Sequence, residues 1–307
     1  MESRSLLQEA TARTLVAGEL KAVFLPGRGM LGASLCHRGT ELLGRVDDLE
    51  GAAAKGSTAG IPLLYPWANR LAGPSYAYRG RAVSLDTTSA LLHLDERGLP
   101  IHGVPWAQLS WELSRATTTS LDARLEWTRK ELLDVFPFRH HVTLSVELRP
   151  EGLTVETTVV ASGGEAVPVS FGFHPYFALP LSNRGQWQLT LPHLRRYVLD
   201  GRGLPTGEEV AYAGFDEALD AHSFDDGFEL TKAPATLALR GPDRRLSVDL
   251  LSGYGCAQVF APTDKPFLAL EPMTAPTAAL SSGRGLRSVE PGGHFTATFR
   301  IRVDRLA

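Results

Sequence analysis

The chain has 307 residues, 43% of them hydrophobic and 21% charged, with a formal net charge of −3. That balance describes a globular protein with a real core. It gives no electrostatic reason to expect nucleic acid or an anionic membrane as a partner, so a neutral small molecule is the easier fit. Cys36 and Cys256 are the only cysteines. They are too few for a disulfide scaffold, lack metal-ligand spacing, and read as reduced core thiols. Glu2, Glu9 and Glu19 interrupt the first residues, so no signal-peptide core is visible, and no apolar run reaches the roughly 18 residues of a membrane span. The expected location is cytoplasmic.

In chain order, the first hairpin lies at 76–85, YAYRGRAVSL, turning at Arg79-Gly80. A short helix is predicted over 88–96. In 141–149, HVTLSVELR, Val142, Leu144, Val146 and Leu148 alternate with polar residues. Alternation puts the apolar set on one face of a strand. Segment 153–160 follows after Pro150-Glu151-Gly152 and completes an antiparallel hairpin. Segment 235–250 turns at Gly241-Pro242-Asp243. Segment 294–303, HFTATFRIRV, closes the chain with Phe295, Ala297, Phe299, Ile301 and Val303 on one face. Many short strands with Gly/Pro punctuation predict an all-β fold, a large antiparallel sandwich or a barrel with few short helices, as one domain over 1–307.

Four clusters set ionisable residues among bulky apolar ones: GIPLLYPWANRL with Arg70, IHGVPW with His102, FGFHPYF with His174, and FLALEPMTAP with Glu271. Each has a bland reading alone. His102 suits a turn, His174 a satisfied core histidine, Arg70 a loop cap, and Glu271 a strand-end carboxylate reaching water. Glu271 is the hardest to dismiss, because it ends an apolar strand and an unpartnered buried carboxylate is costly. Together they suggest chemistry. A carboxylate and an imidazole across a pocket make a general base and a general acid. An arginine and aromatic walls suit a polyhydroxylated ring. No metal-ligand, nucleophile-elbow, phosphate-loop or dinucleotide-binding pattern is present, so no cofactor is expected.

From about residue 20 to the C-terminus, these clusters in this order resemble the aldose 1-epimerases, or galactose mutarotases. The resemblance rests on Asn69-Arg70, His102-Gly103, FGFHPYF around His174 and LEPMTAP at Glu271. It implies a β-supersandwich and interconversion of the α and β anomers of a hexose. On that resemblance Glu271 takes the C1 hydroxyl proton, His174 protonates the ring oxygen, and His102 helps to position that oxygen. Arg70 and Asn69 would bind sugar hydroxyls. Asp225 of FDDGF takes the place of a substrate-binding aspartate, although an acidic turn is its bland reading. Trp67 and Phe173 are expected to line the pocket. Two departures bear on the substrate: Pro105-Trp106 where many members have a basic residue, with Trp106 able to reshape the pocket, and Ala278 where asparagine is frequent.

A hexose-6-phosphate 1-epimerase would need added cations for the phosphate, for which Arg28, Lys55 and Arg139 are candidates. A non-catalytic carbohydrate-binding protein would not need both Glu271 and His174. A glycoside hydrolase or lyase would use two carboxylates and leave the histidines without a role. A nearby Glu271 carboxylate is expected to raise the His174 pKa and to give a bell-shaped pH profile. Oligomeric state is not legible, since an edge strand that pairs subunits reads like any other.

Overall fold

In the computed structural model, which describes residue 9 and residues 11–306, antiparallel strands dominate. Nine strands form one sheet. Its centre runs from Ala235–Arg240 through Arg244–Ser252, His294–Arg305, Gly152–Ala161 and His140–Arg149 to Ser120–Trp127. Eight strands form the second, which includes Phe224–Leu230, Cys256–Ala261, Leu268–Met273, Gly172–Phe173 and Leu63–Leu64. Arg13–Ala17, Leu20–Leu25, Leu31–His37 and Thr40–Glu41 make a third, four-stranded sheet.

The alternating segments pair as their patterns require. Val142 lies opposite Val159 and Val146 opposite Val155, and their side chains are almost fully buried. Leu237 faces Val248 and Leu239 faces Leu246. In the hairpin at 76–85, Arg79 and Gly80 both take positive φ, 47° and 83°. That geometry matches the twist of a two-residue hairpin and favours glycine. Across the sandwich, Phe173 of the eight-stranded sheet packs on Phe299 of the nine-stranded sheet, with ring centroids 5.0 Å apart. A face-to-face contact of this kind is where two sheets bury their apolar sides.

The helix expected over 88–96 is absent. Asp86 accepts hydrogen bonds from the Thr88 amide and hydroxyl, and Asp95 accepts from the Arg97 and Leu99 amides. These carboxylates offer the backbone turns that compete with a helix. The α-helices among the described residues are Leu49–Lys55, Lys130–Val135 and Ala279–Ser282, and none is long and apolar enough to cross a membrane. Both cysteines are free, but only Cys256 is buried, against the Tyr197 hydroxyl. Cys36 is half-buried beside Ser34 and Glu41 rather than in the core.

Candidate active site

Strand Leu268–Met273 is buried on both faces. Leu268 and Leu270 join the central core, whereas Ala269 packs with Tyr176 and Phe267 on the other side. Glu271 shares the parity of Ala269 and faces away from the core. Its neighbours on that face come from adjacent strands: Gln258 lies directly opposite Glu271, and Phe260 lies between Asp225 and Ala269. This outer face of the eight-stranded sheet forms the floor of a cavity of about 190 Å³.

Loops build the walls. Asn69 and His102 both take left-handed φ, 55° and 63°, and the His102 amide donates to the Asn69 carbonyl at 2.9 Å. Gly103 follows at φ 68°, and a Cβ there would lie 2.2 Å from the Tyr65 carbonyl oxygen. Only glycine permits that approach. The Ala278 amide, at φ 61°, donates to the Arg70 carbonyl. Two distant loops are therefore stitched together, and they present Asn69, Arg70, Ile101 and His102 to the cavity.

The centre of the site is a buried pair. His174 Nε2 lies 3.2 Å from Glu271 Oε1, and the side chains are 7% and 2% exposed. Those exposures decide the electrostatics, because desolvation penalises charge on either partner. Burial, reinforced by the Asp225 charge, pushes Glu271 well above the usual carboxylate range. Burial, with Arg45 adding to it, brings His174 down to about 3. The expectation that Glu271 raises the His174 pKa is therefore corrected: burial lowers it, and a Glu271 carboxyl kept neutral by the same burial offers no charge to offset that. Burial thus favours the neutral form of both partners, with the carboxyl rather than the imidazole carrying the shared proton. His102 is also held well below the usual histidine range, by burial first and then by His174 and Arg70. Glu271 Oε2, His174 Nδ1 and His102 Nδ1 are buried without partners. Leaving three buried polar atoms unsatisfied in one cluster costs stability, which points to function rather than to folding.

Around the pair, Asp225 accepts a 2.8 Å hydrogen bond from Gln258 Nε2. Arg70 Nε donates to Asp95 at 2.6 Å and its Nη1 to Asn69 at 3.3 Å. The structure thus brings Glu271, His174, His102, Arg70, Asn69 and Asp225 into one cavity. It does not bring Trp67 or Phe173. Trp67 is in the core against Tyr76, and Phe173 points to Phe299 because successive strand residues face opposite ways. The aromatic lining is Tyr176 and Phe260. Trp106 does not line the cavity either. Its indole donates to the Ser57 carbonyl and packs in a separate cluster with Leu25 and Leu31. Arg28, Lys55 and Arg139 are absent from the lining, where Arg45 stands instead. A larger, more apolar cavity of about 500 Å³ also touches Arg45, but it holds none of the predicted residues.

Sequence reading missed Arg45, Thr58, Tyr176, Gln258, Phe260 and the Asp95 partner of Arg70. Gln258 had a signal, as a lone amide in the apolar strand CAQVFA. Asp95 had none, 25 residues from its partner.

The aldose 1-epimerase family model matches residues 33–302. The chain belongs to the aldose 1-epimerase family. Among its relatives is the uncharacterised YihR protein of Escherichia coli, 28% identical over 250 residues and 79% of each chain. The fold is that of Slr1438 from Synechocystis sp., at a TM-score of 0.80 and 24% identity over the whole of both chains. It is also that of a galactose mutarotase-like protein from Clostridium acetobutylicum, at a TM-score of 0.82 and 19% identity over 96% and 95% of the chains. Members of this family act on sugars. Among the described residues, no cluster of three or more His, Cys, Asp or Glu side chains could hold a metal ion.

Proposed function

We propose that the protein is an aldose 1-epimerase that interconverts the anomers of a hexose by opening and closing the ring, with Glu271 as base and His174 as acid. The observation that carries this reading is the direct 3.2 Å contact of a buried carboxyl and a buried imidazole in a cavity sized for one sugar ring. Arg70 and Asn69 donate to ring hydroxyls, Asp225 accepts from one, and His102 positions the ring oxygen.

For opening, the single proton of the pair resides on His174. Glu271 takes the C1 hydroxyl proton, the C1–O5 bond breaks to give the aldehyde, and His174 Nε2 delivers its proton to O5. The pair still holds one proton, now on Glu271. Rotation about C1–C2 presents the other carbonyl face. O5 attacks it, His174 recovers the hydroxyl proton, and Glu271 returns its own to the new O1. Burial favours the proton on Glu271, and this is the state that binds the open chain and closes it. A polar sugar also hydrogen-bonds to the polar side chains that line the cavity, Arg70, Asn69, Asp225 and Gln258 among them, which brings binding energy to the reacting centre.

Polarimetry of freshly dissolved α-D-glucose and α-D-galactose tests the reading; no acceleration with any aldose contradicts it. One observation favours a second reading, a hexose 6-phosphate as substrate. Arg45 lines the cavity and forms no ion pair among the described residues. Strong inhibition of glucose turnover by glucose 6-phosphate, relieved in Arg45→Met, would select it. A binding protein without catalysis would bind these sugars and leave anomer exchange at its spontaneous rate.

A further inference from the structure

An imidazole that donates a proton in a defined direction is usually oriented by a hydrogen bond at its other nitrogen. His174 has only its own backbone for this: Nδ1 is buried and bonds to no other residue. Its neighbours supply a different restraint. The Tyr176 ring stacks on the imidazole, with centroids 4.3 Å apart and planes at 22°. The Tyr176 hydroxyl lies 2.7 Å from Thr58 Oγ1 and 3.4 Å from His174 Nε2. Arg45 places its guanidinium 5.2 Å from the centre of the same ring, and Phe267 meets the ring edge-on at 5.3 Å. The Tyr176 backbone is tied on both sides, its amide donating to Gly60 and its carbonyl accepting from Gly44. Tyr176 is thus the most constrained aromatic of the cavity and lies flat on the group that must not turn.

We propose that Tyr176 is a positioning residue for the acid: locked by Thr58 and stacked on His174, it fixes the imidazole plane so that Nε2 meets the ring oxygen of the bound sugar. The proposal rests on the reading of His174 as the acid. A Tyr176 hydroxyl bond to Nε2 also gives the nitrogen a partner at the moment its proton has gone to the sugar. The charged and titratable groups that face His174 are Glu271, His102, Arg45 and Tyr176 itself; Glu271 touches only Nε2 and His102 meets the imidazole edge-on at 5.5 Å, so of these only Tyr176 lies flat on its plane.

The test is a double-mutant cycle of Tyr176→Phe and Thr58→Val, with Tyr176→Leu beside it. We read kcat and KM separately, together with the His174 ring nitrogen shifts in protein carrying 15N-labelled histidine. A hydrogen bond of ordinary net strength corresponds to a loss of roughly 3–10-fold. Each single variant is expected to lower kcat by that factor with KM unchanged, and the double variant to fall no further than Tyr176→Phe, since Thr58 acts only through that hydroxyl. Tyr176→Leu should lose at least about tenfold, the stack being gone, and should show mixed ring tautomers. Full kcat in folded Tyr176→Phe and Tyr176→Leu, with only a lower Tm, overturns the proposal, as do independent losses that multiply in the double variant. If the wild type accelerates no anomer exchange, the epimerase reading fails by itself. The nitrogen spectra then still decide: one tautomer lost in Tyr176→Leu supports positioning, and identical spectra refute it.

Discussion

Asp95→Asn isolates the support of Arg70 without touching the cavity lining. Arg70 Nε donates to Asp95 at 2.6 Å, with side chains 14% and 7% exposed. The Asp95 carboxylate also accepts the Arg97 and Leu99 amides, and these bonds together with Arg70 hold its pKa below the usual carboxylate range against its burial. Breaking a buried pair costs about 3–5 kcal/mol, an exposed one about 0–1 kcal/mol. Arg70 opens onto a wet cavity, and asparagine keeps an acceptor for the two amides, so the expected loss is about 2–3 kcal/mol. For a chain of this length that lowers Tm by about 3–5 °C. A guanidinium released from its carboxylate also loses its aim. A charged hydrogen bond to the sugar is worth about 1.5–3 kcal/mol, so kcat/KM should fall by roughly 10–100-fold, mainly through KM. Thermal unfolding and initial rates of mutarotation measure both. Unchanged Tm with unchanged KM would refute the view that Asp95 holds Arg70 in place.

Gly103→Ala places a methyl 2.2 Å from the Tyr65 carbonyl at φ 68°. It should cost at least about 2 kcal/mol and depress activity through the displaced His102; wild-type denaturation and rates would exclude this role. His140 is buried between the Tyr65 hydroxyl and the Phe138 carbonyl, and burial brings its pKa to about 3. Its folded value lies below the unfolded one, so its stability contribution is present above about pH 6.5 and lost as the pH falls toward 3. Wild type should therefore lose about 2 kcal/mol more than His140→Gln between pH 7 and pH 5 in urea titrations, and equal losses would contradict the assignment. In the pH–rate profile, the acid limb should begin near the His174 value of about 3, where the pair takes a second proton. The alkaline limb should follow the raised Glu271 value, where the pair loses its only proton. Activity rising steadily through the alkaline range would exclude a one-proton pair.

The legible part of the fold was the part written in local pattern. Strands with one wet face, such as His140–Arg149, show period 2 and were found with their partners. Leu268–Met273 is buried on both faces, so alternation is silent there. Glu271 stood out only as a charge in an apolar run. The false helix at 88–96 has helix-forming leucines, but Asp86 and Asp95 turn the chain through side-chain bonds that no periodicity records. The same limit applies to the site. His174 and Phe173 are adjacent in sequence and point to opposite sides of a sheet, so both could not line one cavity. Tyr176 and Thr58, 118 residues apart, meet only when strands and loops are assembled.

The central claim is that Glu271 and His174 pass one proton to and from a sugar. Polarimetry of fresh α-D-glucose and α-D-galactose, with wild type beside Glu271→Gln, tests it directly. The account predicts accelerated mutarotation by wild type and a loss of about 10²–10⁴ in Glu271→Gln, whose cooperative thermal unfolding is retained. A folded Glu271→Gln protein with near wild-type rates would contradict it.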